Sequence, residues 1–327
     1  MIGLIEKYWF LIGLLLVFTV TIFDVTGTVS GIGKWLTIHR GPDAVVIFIF
    51  FFSGLLLNAD QIKSGLMDIE GILITLAIIF LVSPIIAAGF GLGSLDTGIK
   101  IGLFLVAVMP TTLISGVVMT GSAGGNIAHA MVITIMANGL AIFTIPVSLP
   151  LLLNLIGGTT FVSIDKLAIM ITLGFLVLLP LCIGLLIKFY RKFFVDQFAS
   201  KLHTLNQFLV LAIVWMAMSQ ARLAIINGGN RIGIIFIIVV IFHGTLLAAA
   251  GLFIRFFKLS WGRRESVLFV GGQKTLPLSV ILQVSLFPQY GLALVVCVMH
   301  HLVILMMDGY LVGKLQVHDK VRPLKNA

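Results

Sequence analysis

Charged residues are scarce in this chain. Only 10% of its 327 residues are Asp, Glu, Lys or Arg, whereas 60% are hydrophobic, and the mean hydropathy is +1.19. This composition excludes a soluble globular domain, because such a domain needs a polar and charged surface. It is typical of a polytopic helical membrane protein whose partner is the lipid bilayer.

Cysteines and catalytic motifs are also few. The two cysteines, Cys182 and Cys297, both fall in apolar segments and are expected to be small core residues rather than a disulfide. The chain has no HExxH motif, no Gly-x-Ser-x-Gly motif and no paired intramembrane aspartates, which disfavours an enzyme and a metal site. We expect no organic cofactor. Residues 1–7 lead into an apolar run without a clear cleavage site, so we expect no cleaved signal peptide.

Apolar runs of membrane-spanning length recur along the whole chain and predict ten spans. The spans lie near residues 8–26, 43–59, 71–91, 98–121, 126–156, 164–188, 203–224, 231–255, 262–286 and 289–313. Residues 28–42 form the longest polar connection in the first half, and 189–202 and 256–265 carry the charge in the second. No soluble domain is inserted, so we expect a single transmembrane domain over residues 1–327.

Basic residues are unevenly distributed between the connections of these spans. Fourteen Lys and Arg fall on the side of the N-terminus and six on the other side, with Lys274 left inside the membrane. Because cytoplasmic loops are enriched in Lys and Arg, we expect both termini to be cytoplasmic, in an inner or plasma membrane. The net charge of +9 is therefore attributed to topology and not to a nucleic-acid partner.

Ten spans divide into two halves of five, and an odd number per half inverts the second copy. Thr112-Leu113 and Thr275-Leu276 lie 163 residues apart, in spans four and nine, and both spans are interrupted by polar residues. Matching interruptions in two halves indicate the binding site of a transporter. The predicted fold is therefore all-α, with ten transmembrane helices in two inverted five-helix repeats, at about 1–157 and 158–315, and broken crossing helices 4 and 9.

Span nine contains the densest group of unusual residues, in the stretch 270–280. Gly271, Gly272 and Pro277 are expected to break the helix. Lys274 at mid-membrane costs at least ~2.5 kcal/mol unless it is paired or hydrated. The alternative is a proline kink with a lysine that snorkels to the interface, but Lys274 lies about a dozen residues from either end of its span. We therefore predict a functional site at Gln273, Lys274 and Thr275.

Span four has a matching break at Pro110, followed by Thr111, Thr112 and Ser115. Unwound carbonyls and hydroxyls suit small cations, and the N-terminus of a half-helix attracts anions. The alternative is a kink whose free carbonyls are satisfied by the threonines themselves. With span nine beside it, we predict that these three residues bind substrate or ion.

Further polar residues lie in spans five and ten. Asn126 is expected to cap span five, with access to the cytoplasmic vestibule as a second role, and is included in the site. Thr134 is an ion-ligand candidate, whereas His129 is expected to be a hydrogen-bonded packing residue. Asp308 is expected to pair with a basic loop residue at the interface, and His243 to form an interhelical hydrogen bond.

At these positions the chain resembles the bile acid:sodium symporter superfamily, and more closely its SBF-like branch. The resemblance covers essentially the whole chain and is most specific in residues 110–126 and at Gln273-Lys274-Thr275. It implies a ten-helix inverted-repeat fold with a panel of spans 1, 2, 6 and 7 and a core of spans 3–5 and 8–10. It also implies that broken spans four and nine cross near mid-membrane, with the solute cavity between panel and core.

The sodium-binding pattern of the family is only partly present. In sodium-coupled relatives, an acidic residue four positions before the span-nine glutamine joins two ion sites, and Phe269 stands there in this chain. The span-five threonine matches at Thr134. Lys274 follows the glutamine, where the family usually has a neutral residue, so its ammonium could take the volume and charge of one ion. The resemblance therefore argues against a standard two-sodium mechanism.

The sequence thus predicts a secondary transporter that moves a small organic solute, expected to be anionic, coupled to sodium or to protons. Lys274 and Gln273, with the hydroxyls of span four, would form the polar floor of the site. The alternative is a non-transporting membrane regulator of ion homeostasis on the same scaffold, because some relatives in the SBF-like branch are associated with calcium. No protein partner is predicted by the sequence.

Overall fold

The structure, a computed structural model, describes residues 2–57, 65, 68–156 and 165–321, and these residues fold into thirteen α-helices. The helices are α1 Ile2–Ile22, α2 Thr28–Ile38, α3 Gly41–Leu56, α4 Ile69–Gly91, α5 Thr97–Val108, α6 Ser115–Ser122, α7 Ile127–Asn154, α8 Lys166–Tyr190, α9 Lys192–Ile226, α10 Asn230–Phe256, α11 Arg263–Gly272, α12 Leu276–Leu286 and α13 Gly291–Val321. The predicted all-α class is confirmed. Within the described ranges, seven helical segments are long and apolar enough to cross a membrane, or eight if the bent pair α2–α3 is one span.

Two connections predicted to be polar are largely helical. The stretch 28–42 contains α2, which meets α3 at a 77° bend. Asp24 holds the start of α2, because its carboxylate accepts hydrogen bonds from both the N–H and the hydroxyl of Ser30 at 2.8 Å. The second connection, 189–202, is mostly the first part of α9, which begins at Lys192 rather than near 203. Polar residues in both segments lie on helices, where local hydrogen bonds can stabilise them. A hydropathy pattern does not predict such hydrogen bonds.

Glycines allow α3 and α8 to pack closely. A Cβ at Gly54 would overlap the carbonyl oxygen of Leu181, and a Cβ at Gly184 would overlap that of Phe51. The two helices therefore cross with their backbones in contact, as small residues allow in membrane helices. The sequence prediction for Cys182 was wrong, since this cysteine on α8 is exposed on the protein surface, whereas Cys297 is buried; both thiols are free.

Two interruptions divide otherwise spanning segments. The chain leaves the helical conformation between the end of α5 at Val108 and the start of α6 at Ser115, and again between Gly272 and Leu276. Pro277 lies in the first turn of α12, where the missing N–H costs no hydrogen bond. A Cβ at Gly272 would lie 2.9 Å from Leu247 Cδ2, so the end of α11 packs closely against α10.

Candidate functional site

The two interruptions lie against each other in the interior of the protein. The N–H of Thr275, in the second break, donates a 2.9 Å hydrogen bond to the carbonyl oxygen of Pro110, in the first. Both stretches are buried. The free N–H and C=O groups of unwound backbone at membrane depth need hydrogen-bond partners in the protein or in a polar cavity. Here each break supplies a partner for the other.

Lys274 fills the space between the first break and α4. Its side chain is 2% exposed, and Nζ donates hydrogen bonds to the carbonyl oxygens of Ile79 at 2.9 Å, Ala107 at 3.1 Å and Met109 at 3.0 Å. These carbonyls are available for local reasons. Ile79 lies in a π-helical turn of α4, Ile78–Val82, while Ala107 and Met109 are at the C-terminal end of α5, where carbonyls lack helical partners. The ammonium therefore occupies a cage of three backbone oxygens.

Gln273 points to the opposite side of the break from Lys274, towards α6. Its Oε1 lies 2.5 Å from Thr112 Oγ1 and 2.8 Å from Ser115 Oγ, and both hydroxyls can donate to it. A Cβ at Gly116 would lie 3.3 Å from the same oxygen, so the start of α6 approaches the amide closely. The structure thus brings together Gln273, Thr112 and Ser115, and of these only Ser115 is half-buried rather than buried.

Asp308 completes this group from α13, and the sequence prediction for it was wrong. Its carboxylate is 0% exposed and pairs with no basic loop residue in the described part of the chain. Oδ2 accepts from Gln273 Nε2 at 2.9 Å, and Oδ1 lies 2.9 Å from His243 Nε2 on α10. The prediction that His243 forms an interhelical hydrogen bond is confirmed. The sequence did contain a sign of this buried role, because Asp308 lies within an apolar segment. Placing an acidic residue in lipid costs free energy unless it has a partner inside the protein.

A second polar group lies beside the first break, on α7. Asn138 Nδ2 donates to the carbonyl oxygens of Thr134 at 2.9 Å and Thr111 at 3.3 Å. The hydroxyls of Thr111 and Thr134 and the Oδ1 of Asn138 are buried and have no hydrogen-bond partner among the residues that the structure describes. The main chain of both threonines contacts the Asn138 amide, and hydroxyl and amide oxygens are ligands that suit a small hard cation.

Asn126 lies away from both groups, at the start of α7. Its side chain accepts from the N–H of His129 at 3.1 Å, which confirms the predicted cap, and its own N–H donates to Gly262. His129 is buried, with Nδ1 2.5 Å from Ser266 Oγ, as expected for a hydrogen-bonded packing residue. The structure therefore places Asn126 at the junction of α7 and α11 and not beside Gln273.

Asp68 anchors the same junction from the N-terminus of α4. Its carboxylate accepts from Arg263 Nε and Nη2, both at 2.5 Å, and from the N–H of Gly71 at 3.1 Å. Partial burial acts against the charged form, but the hydrogen bonds from Arg263 and Gly71 together hold the pKa of Asp68 below its usual value. The cluster fastens α11 to α4.

A cavity of about 410 Å³ opens between the α2–α3 bend, α8 and α12. Its polar lining comes from Thr37, Arg40 and Asp43 at the bend, with Thr172 on α8 and Ser285 on α12. Arg40 adopts a left-handed conformation (φ 60°) at the bend and is exposed. Arg40 brings a positive charge to this cavity and Asp43, which interacts with it electrostatically, brings a carboxylate; sequence reasoning singled out neither residue.

Comparison with known proteins places these features in a family of transporters. The model of the SBF-like CPA transporter family matches residues 8–317. The probable chloroplastic sodium/metabolite cotransporter BASS4 of Arabidopsis thaliana is 32% identical over 280 residues, which is 81% of this chain and 64% of that protein. The uncharacterized sodium-dependent transporter YocS of Bacillus subtilis is 27% identical over 280 residues, 83% of this chain and 80% of the relative.

A further similarity extends to animals. Sodium/bile acid cotransporter 7 of Xenopus tropicalis is 26% identical over 225 residues, which cover 65% of this chain and 62% of that protein. The matched region thus spans less than two thirds of the Arabidopsis and Xenopus relatives. The family match nevertheless covers nearly the whole of this chain, which is an integral multi-pass membrane protein and not an enzyme. The chain belongs to the SBF-like CPA transporter family.

Proposed function

We propose that this protein is a sodium-coupled secondary transporter of a small organic anion. The observation that carries the proposal is the contact between the two main-chain breaks, where Gln273 from one break reaches Thr112 and Ser115 beside the other. Broken main chain at this depth is tolerated only where it is buried in protein or lines a polar cavity, and matching breaks in two halves of a chain are typical of a transporter's binding site. The relatives named as sodium-coupled transporters support the choice of coupling ion.

The architecture we propose has ten spans in two inverted repeats. Under this assignment, α2–α3 is span two, α5–α6 is span four and α11–α12 is span nine. The panel would then comprise α1, α2–α3, α8 and α9, and the remaining helices would form the core. The cavity beside Arg40 supports the division, because its walls come from α3 and α8 on one side and from α12 on the other. Both termini would be cytoplasmic, following the basic residues.

For the coupling ion, we propose a single sodium beside Thr111, Thr134 and Asn138. Each supplies a buried oxygen without a partner, and neutral oxygen ligands at an unwound helix are typical of sodium sites in transporters. The ammonium of Lys274, in its cage of carbonyl oxygens, would supply the second positive charge. Phe269, buried on α11, provides no carboxylate for a second sodium.

For the solute, we propose a path from the cavity at Arg40 to Ser115. Arg40 would attract a carboxylate or a similar anion. At the end of the path lies the N-terminus of α6, whose first N–H groups and dipole favour negative charge. Ser115, which is half-buried, and Thr275 would contact neutral polar groups of the solute, such as an N–H or an O–H. Motion of the core against the panel would then expose the site to the other side.

The test begins with a screen of small organic anions for thermal stabilisation of the purified protein, in sodium and in potassium at equal ionic strength. Solutes that stabilise the protein only in sodium are then tested for uptake into proteoliposomes driven by a sodium gradient. We expect uptake in the wild type and a loss of sodium dependence in Thr134→Val. Thr75→Val is the matched control, because Thr75 is buried but its hydroxyl is satisfied by the carbonyl of Gly71.

If no solute stabilises the folded protein and none exchanges across proteoliposomes, the transporter proposal is wrong and a regulatory role on the same scaffold replaces it.

A further inference from the structure

We propose that Asp308 is a positioning residue that fixes the orientation of the Gln273 amide and thereby determines which hydrogen-bonding groups the transport site presents. This inference rests on the proposed function for its consequence in transport, but its structural part stands on contacts among four helices. The contacts run from His243 on α10 through Asp308 on α13 and Gln273 to the hydroxyls beside α6.

The side chain of glutamine has two unlike ends of similar shape. One is an NH₂ donor and the other a carbonyl acceptor, so its neighbours decide which end faces which way. An ionised carboxylate only accepts hydrogen bonds. Because Asp308 Oδ2 lies 2.9 Å from the amide, the NH₂ end of Gln273 must face α13. Oε1 is then turned towards Thr112 and Ser115.

This orientation directs the hydroxyl protons inward. Thr112 donates to Oε1 at 2.5 Å, and its oxygen accepts the N–H of Gly116 at 3.1 Å. Ser115 Oγ lies 2.8 Å from Oε1 and 2.7 Å from Thr112 Oγ1, so its proton points into the protein whichever of the two accepts it. Ser115 is half-buried, and the site therefore offers its lone pairs to a cation or to an N–H or O–H group of the solute.

A reversed amide would give the opposite site. With Nε2 facing the hydroxyls, Thr112 and Ser115 would accept from Gln273, and the proton of Ser115 would turn outward. The site would then offer a donor instead of an acceptor. Asp308 thus sets the polarity of the site without contacting the solute itself, and a neutral residue at this position would remove that control.

His243 holds the carboxylate in place. Its Nε2 lies 2.9 Å from Asp308 Oδ1, and both side chains are fully buried. Among the described residues, no lysine or arginine forms an ion pair with Asp308, and the ammonium of Lys274 is held by carbonyl oxygens. The carboxylate therefore accepts hydrogen bonds from two donors, His243 and Gln273. These hydrogen bonds fix the orientation of both donor side chains.

The decisive experiment exchanges the acid and the amide. Gln273→Glu alone would place two carboxylates in direct contact, and Asp308→Asn alone would leave two amides free to reverse. The double variant Gln273→Glu/Asp308→Asn restores one carboxylate, whose oxygens can accept from Thr112, from Ser115 and from the new amide on α13. Melting temperatures are measured in nanodiscs for all four proteins, together with NMR spectra of protein labelled with ¹⁵N at the glutamine side-chain amide.

We expect both single variants to melt below the wild type and the double variant to recover most of the loss. The Gln273 amide signal should shift in Asp308→Asn, since its donor then faces a neutral group. Gln283 is the matched control: it is a buried glutamine on α12 whose Nε2 donates to the carbonyls of Phe287 and Tyr290. Gln283→Glu should destabilise the protein, and Asp308→Asn should not rescue it.

In transport, Asp308→Asn should raise the sodium or solute concentration for half-maximal uptake by about tenfold or more. Additive losses in the double variant, or an unshifted Gln273 signal in Asp308→Asn, would overturn the inference. If the wild type transports nothing while the melting and NMR results hold, the proposed function fails and the orienting role of Asp308 stands.

Discussion

The backbone N–H of Thr275 donates a 2.9 Å hydrogen bond to the carbonyl oxygen of Pro110, so that two breaks 165 residues apart in the sequence share one buried junction. Each break leaves main-chain groups that helical bonding would otherwise satisfy. Their contact explains how both can lie inside a chain of such high hydropathy. The side chains that radiate from the junction, Gln273 on one side and Lys274 on the other, are the basis of the proposals above.

Replacing Lys274 with methionine tests the carbonyl cage. Methionine fills a similar volume but donates no hydrogen bond, so the carbonyls of Ile79, Ala107 and Met109 lose their shared donor. We expect a destabilisation of at most about 1–3 kcal/mol, because the carbonyls of Ile79 and Met109 lose this donor while Ala107 keeps the Ser83 hydroxyl, and because no longer burying an ammonium offsets part of the loss. Uptake should also be abolished. Unchanged melting in nanodiscs and unchanged uptake would show that the ammonium has no such role.

The Asp68–Arg263 pair gives the protein a specific dependence on acid pH. The pKa of Asp68 is lower in the folded protein than its ordinary value of about 3.9. Its contribution to stability is therefore complete above that ordinary value and is lost as the pH falls through the lower folded value. We expect Asp68→Asn to melt below the wild type at neutral pH, with the gap closing in strong acid. A gap that is constant at all pH values would contradict this assignment.

The crossing of α3 and α8 depends on the absence of side chains. In Gly184→Ala, the new methyl group would overlap the carbonyl oxygen of Phe51, which is backbone and cannot move aside alone. We expect a destabilisation of roughly 1–3 kcal/mol, typical of overpacking. Gly174→Ala is the control on the same helix, because nothing lies within 4 Å of its Cβ position. Equal melting temperatures for the two variants would contradict the close crossing.

Arg40 provides a test of the proposed solute path. Arg40→Gln keeps hydrogen-bonding capacity but removes the positive charge from the cavity at the α2–α3 bend and leaves the carboxylate of Asp43 there. We expect the concentration of an anionic solute for half-maximal uptake to rise about fivefold to tenfold, more at low salt than at high salt, because surface charges are screened by ions. The maximal rate should change little. A lower maximal rate with the same half-saturation would place Arg40 outside the path.

The sequence predicted the apolar segments well because hydropathy alone determines them. Helix α7, Ile127–Asn154, lies within the predicted span 126–156, and α10 lies within one residue of its prediction at both ends. Segments such as α2 escaped prediction because their polar residues are satisfied by local hydrogen bonds, as Ser30 is by Asp24. The pattern of apolar residues contains no signal for such bonds.

The candidate site was predictable in part. Proline, glycine and lysine inside span nine pointed to Gln273 and Lys274, because each is costly in lipid. The partners of these residues come from other helices, and a single sequence does not state tertiary contacts. Asp308 was therefore expected at the interface, although it lies beside Gln273, and Arg40 was not noticed because an arginine in a connection is ordinary.

Sodium-driven solute flux is the most direct test of whether the protein couples the transport of an anion to one sodium ion. Proteoliposomes containing the purified protein are given a labelled anion that stabilises it, with an inward gradient of sodium or of potassium. We expect accumulation in the sodium gradient only, with a Hill coefficient for sodium of about 1, because one sodium site accompanies the ammonium of Lys274. Equal flux in both gradients, or a coefficient of about 2, would contradict a single sodium site beside Thr134 and a lysine in place of the second.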